Sequence, residues 1–169
     1  MVIIDERRLH AGDAELLAVL RGHHPAPDCL CVLAVLGDEF VRVAVSNAKA
    51  LAAHRGSPTV SPHDLRFHVE HCCGVVVRFF EHGRLPAFLD AEEGHAASGR
   101  YLMAAHDELL RSVTADAADS ASVAGGGELR LSDLIRVLNG RRRWLGPACP
   151  CVANWVAERA GAELGAGRA

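Results

Sequence analysis

The stretch Arg66–Cys73, Arg-Phe-His-Val-Glu-His-Cys-Cys, gathers imidazole, carboxylate and thiol side chains within eight positions. These are the groups that ligate zinc and move protons. A second stretch, Gly146–Trp155, carries Cys149-Pro150-Cys151 and stands as its distant partner. The six cysteines fall into three pairs, Cys29/Cys31, Cys72/Cys73 and Cys149/Cys151. That clustering exceeds random placement, although Cys29 and Cys31 also suit two small apolar side chains on one strand face. His68-Val69-Glu70 is a His-x-Glu, but so is His106-Asp107-Glu108. Spacing alone therefore singles out neither, and the elements that carry them must discriminate.

Those elements read as follows. Asp13–Arg21 has a short helical pattern, and His23-His24-Pro25 breaks it as a solvated loop. Cys29–Leu36 and Phe40–Ser46 are rich in Val and Leu with Gly37-Asp38 between them, which predicts a β-hairpin. Asn47 follows at the end of the second strand, and Ala48–His54 is a helical turn. Ser61-Pro62-His63-Asp64 has the residues of a capping box, so a helix is expected from Pro62 to about Glu81. Leu65, His68/Val69, Cys72 and Val76 repeat at helical spacing along it. Asp90–Val113 is a second long helical pattern, with possible breaks at Gly94 or Gly99. Residues 114–127, rich in Ala, Ser, Asp and Gly, read as a flexible loop. A short helix from Leu131 to Leu138 ends at Asn139-Gly140, and Arg141–Leu145 reads as a strand. Cys149-Pro150-Cys151 opens a last helix, Val152–Leu164, with a frayed tail from residue 165. The expected fold is α/β: a small sheet built on the hairpin, flanked by helices, in a single domain spanning 1–169.

Composition bounds the function. The chain has 169 residues, 50% hydrophobic and 23% charged, enough for one domain with a core. With aromatics at 5%, that core is mostly Ala, Val and Leu. A net charge of −3 gives no global attraction to nucleic acid or an acidic membrane. No apolar run is long enough for a membrane span. The N-terminus has its apolar and charged parts in the wrong order for a signal peptide, so a cytoplasmic location is expected. In that compartment the cysteines are thiols or ligands rather than disulfides. A protein partner is not specified.

Helix, hairpin ending in Asn47, helix carrying His68-Val69-Glu70, then a Cys-containing helix start resembles the zinc-dependent cytidine deaminase-like superfamily. The resemblance covers roughly Cys29–Glu70 and Trp144–Ala160. It implies that His68, Cys149 and Cys151 bind zinc, with the fourth position open for water. Glu70 would be the catalytic proton shuttle and Asn47 a substrate contact. Arg141 and Arg142, in the run Arg141-Arg142-Arg143-Trp144, would meet a phosphate on a base, nucleoside or other small amino-bearing substrate. In the family the thiolates are spaced Cys-x-x-Cys, whereas here they are Cys-Pro-Cys.

Helix phase offers a different arrangement. His68 and Cys72 are i,i+4 and share one helical face, whereas His68 and Glu70 diverge. With Cys149 and Cys151, Cys72 as alternative ligand would close a structural zinc site. The chain is then a non-enzymatic α/β interaction or accessory protein with structural-zinc or simply buried cysteines.

Overall fold

A computed structural model describes residues 25–77, 91–123 and 129–166. Six α-helices account for most of them: α1 (Pro27–His54), α2 (Pro62–Arg66), α3 (Ala91–Val123), α4 (Leu131–Gly140), α5 (Arg142–Ala148) and α6 (Pro150–Ala166). A π-helical turn, Phe67–Cys72, continues directly from α2. Among the described residues there is no strand, only one isolated bridge between Pro25 and Leu129. The fold is helical, and the expected α/β sheet is overturned.

The hairpin fails because both supposed strands and their turn form one helix, α1. Its buried positions, Cys29, Val32, Leu33, Leu36, Phe40, Ala44, Ala48 and Ala52, recur every three or four residues. That is a helical stripe, and the Val/Leu richness masked it. Gly37 looked like a turn residue, yet it sits inside the helix. A Cβ placed there would lie 2.4 Å from His106 Nε2 on α3. Gly37 thus serves close helix approach rather than chain reversal, at a propensity cost of about 1 kcal/mol against alanine. The Asp28 carboxylate in the first turn complements the positive helix end.

The helix start at Ser61 forms as expected. Ser61 N donates to Asp64 Oδ2 at 2.8 Å, and Asp64 N donates to Ser61 Oγ at 3.3 Å. Arg55 grips the same carboxylate with two bonds, at 2.9 and 2.6 Å. The helical run stops at Cys72, not near Glu81. Gly74 adopts φ 65° just beyond it, a left-handed value that suits glycine.

Elsewhere α3 passes through Gly94 and Gly99 unbroken and continues to Val123, so residues 114–123 are helix rather than loop. The part of that loop at 124–127 lies outside the described residues, as do Asp13–Arg21 and His23-His24. Helix α4 covers the expected short helix. The strand expected at Arg141–Leu145 is instead helix α5. Helix α6 begins at Pro150, as the Cys-Pro-Cys start suggested.

Helix α1 lies at the centre and packs against α2, α3 and α6. Phe40 and Tyr101 are its large aromatic fillers, joined by Leu109, Val113, Leu134, Leu138, Leu145 and Val156. One buried carboxylate fixes the first described helix to the last. Glu39, 6% exposed, accepts from Cys151 N at 2.8 Å and from Val152 N at 3.0 Å. These N–H groups belong to the first turn of α6, where no intrahelical acceptor exists. The charge also meets the positive end of the helix. Arg42 reaches Glu39 at 3.4 Å, but is largely exposed and so adds little.

Glu39→Ala is expected to destabilise the fold by about 3 kcal/mol, from two lost charge-assisted bonds, one to a buried and one to a part-buried N–H group. Glu39→Gln, which keeps one acceptor oxygen, should cost less. Urea denaturation of the three proteins checks the order; equal midpoints for wild type and Glu39→Ala would refute it.

Candidate functional site

The π-helical turn decides which side chains meet. In an α-helix His68 would face Cys72. Here Cys73 N donates to His68 O at 3.2 Å, an i→i−5 bond that adds one residue to the turn. Cys73 therefore comes over His68, with Sγ 3.4 Å from Nε2. Cys72 rotates out to solvent. The extra residue removes the His68–Cys72 pairing on which the alternative ligand set depended.

His68 is buried, and its ring is closed from the other side by Asn47 of α1. The Asn47 Nδ2 atom stands 3.4 Å from Nδ1 and 3.3 Å from Nε2. Near-equal distances place the amide over the ring rather than along one lone pair. Burial lowers the His68 pKa, favouring the neutral ring. Burial likewise pushes the Cys73 thiol up to about 12, with the neighbouring Cys72 adding to the rise. The pair is a neutral imidazole against a neutral thiol. Cys73 also caps a helical C-terminus, where the backbone dipole opposes a thiolate.

The other expected site residues are dispersed. Glu70 binds Arg66 Nε at 2.8 Å. It also faces Tyr101, whose ionisation is suppressed by burial first and by the Glu70 charge second. Cys149 is buried with Sγ 3.5 Å from the Leu36 carbonyl. Its thiol pKa is raised by burial and then by Glu39. Cys151 is exposed, and its pKa is raised chiefly by a side-chain hydrogen bond to Glu39. Arg142 is exposed. Arg141 is half-buried, donating to Ser112 Oγ at 3.0 Å and pairing with Asp116.

Zinc needs thiolate or imidazole donors converging at about 2 Å from one point. Among the described residues no group of three or more His, Cys, Asp and Glu side chains could hold a metal. His68, Cys149 and Cys151 each meet a different partner, so the described structure does not gather the expected ligand set at one point. The expectation of a metal-binding α/β protein is corrected accordingly: the described residues form helices without a sheet and hold no metal-binding group.

The structure does unite Asn47 and His68, both singled out from the sequence, though on two helices instead of a hairpin and a helix. Two residues were missed. Cys73 could be found only by foreseeing the π register. Glu39 was hidden beside the presumed Gly37-Asp38 turn, just ahead of the expected second strand, where a second acid next to Asp38 reads as an ordinary solvated turn residue.

In comparisons with known proteins, no family model matches the chain, and no curated protein or solved structure matches it significantly.

A neutral buried His68 makes stability depend on pH. Its folded pKa lies below the ordinary value of 6.5, so below 6.5 the unfolded chain takes up the proton first. The His68 contribution is complete above pH 6.5 and is lost as pH falls through the folded pKa. Urea midpoints for wild type should fall across this window, and His68→Gln should flatten part of the fall. Identical pH profiles for the two proteins would contradict the assignment.

Proposed function

We propose that the chain is a non-enzymatic helical interaction or accessory protein whose buried histidine and cysteines serve its fold. The observation that carries this is the divergence of the two groups a hydrolytic site needs together. His68 is spent on Cys73 and Asn47 inside the core, while the Glu70 carboxylate is spent on Arg66. General acid–base work on a metal-bound water requires that carboxylate within reach of the metal ligands. The thiols that a deaminase-type centre would recruit are likewise occupied: Cys149 on the Leu36 carbonyl and Cys151 beside Glu39. Among the described residues no helix is long and apolar enough to cross a membrane.

Elemental analysis combined with two variants tests the proposal. Protein purified without chelator should hold far less than one zinc per chain. Glu70→Gln should shift stability by about 1 kcal/mol or less, since the Arg66 partner is partly exposed and a glutamine oxygen can still accept from it. Cys149→Ser should cost about 1–3 kcal/mol, because it buries a hydroxyl where a thiol sat. Stoichiometric zinc lost in His68→Ala, together with cytidine-deaminating turnover abolished by Glu70→Gln, would overturn the proposal in favour of a deaminase-type enzyme.

A further inference from the structure

A cavity of about 150 Å³ opens where three elements converge: the Cys73–Val76 turn, the middle of α3, and the α4–α5 junction. Its wall includes Glu108, Leu109, Ser112, Arg141 and Trp144. We propose that this cavity binds a small monocarboxylate with an aromatic or compact apolar body. Its carboxylate would sit on Arg141 and Ser112, and its body against Trp144, Leu109 and Val75.

The argument starts from charge. Two acids lie in or next to the cavity, and both are already engaged. Glu108 in the wall pairs with Arg111 at 2.5 Å. Asp116 pairs with Arg141 from a half-exposed position. Among the described residues Arg141 is the only cation in the wall, its side chain 23% exposed. Its Nη1 reaches Ser112 Oγ, and its Nη2 reaches Ser112 O and Asp116. A guanidinium has five N–H donors, so donors remain for an anion. Asp116, half in water, gives up its share at little cost.

Shape and polarity then choose the anion. Arg141 lies over the Trp144 ring at 5.6 Å, so a planar ligand meets a guanidinium and an indole side by side. Leu109 and Val75 are buried apolar wall. A cavity of about 150 Å³ accommodates a benzene ring. Phosphate suits it poorly: it is heavily hydrated and calls for several cations, whereas Arg142 and Arg143 point to solvent and are not in the wall. The proposal is independent of the accessory role above, since it uses neither His68 nor Glu70.

Isothermal titration calorimetry on the full chain tests it, with benzoate as the probe and benzamide and inorganic phosphate for comparison. Benzoate should bind saturably, and both comparison compounds at least about tenfold more weakly. Asp116→Asn should tighten benzoate binding by releasing the guanidinium, and its half-exposed position makes the variant safe for folding. Trp144→Leu should weaken binding, with Arg159→Gln as the neutral control. Absence of saturable benzoate binding at millimolar concentration would overturn the proposal. Equal affinity for benzamide, or benzoate binding unmoved by both Asp116→Asn and Trp144→Leu, would do so equally.

Discussion

The π-helical turn at Phe67–Cys72 substitutes an i,i+5 relation for i,i+4, and the placement of the neighbouring side chains follows from that one residue. It turns Cys73 inward over His68 and Cys72 outward to solvent. Glu70, two positions from His68, keeps an ordinary i,i+4 pair with Arg66. Gly74, with its left-handed φ, then ends the helix and lets Val75 N return to Val69 O at 3.1 Å. Backbone geometry, rather than side-chain chemistry, thus decides that His68 makes its core contact with Cys73 and not with Cys72. A neutral thiol against a neutral imidazole is a satisfied arrangement in a dry interior, where either charged form would be costly.

Glu39 supplies the complementary long-range constraint. A carboxylate in the middle of α1 closes the open N–H groups of α6, more than a hundred residues away. Cys149, just ahead of that helix, is drawn into the core against the Leu36 carbonyl, one turn earlier on α1. The Cys-Pro-Cys stretch is therefore anchored by an acid at the start of α6. Pro150 fits at the helix start because its missing N–H would have had no partner there.

How much was legible in the sequence follows from which signals were local. The Ser61/Asp64 capping box, the helix ending at Gly140 and the helix start at Pro150 were readable, since each depends on residues within a few positions. The α1 helix was not. Val and Leu at most positions satisfy a period of two as well as one of 3.6, and Gly37 imitated a turn when its role was to admit His106. The loop expected at 114–123 failed for a similar reason: Ala-rich composition with Ser and Asp suits a helix once Ala117 and Ala121 pack inward. At the site, His68 and Asn47 were both chosen and do meet, but through α1 rather than a hairpin. Cys73 and Glu39 escaped because a π register and a tertiary cap leave no periodic mark.

The central claim is that His68 pairs with Cys73 and not with Cys72, and native-state thiol alkylation tests it most directly. Treating the folded chain with iodoacetamide and mapping the modified cysteines by mass spectrometry should show Cys72 and Cys151 labelled early. Cys73 should stay unmodified, along with Cys29 and Cys149, until the chain is unfolded. Protection of Cys72 with ready labelling of Cys73 in the native protein would mean an α-helical register at His68 and would contradict the account.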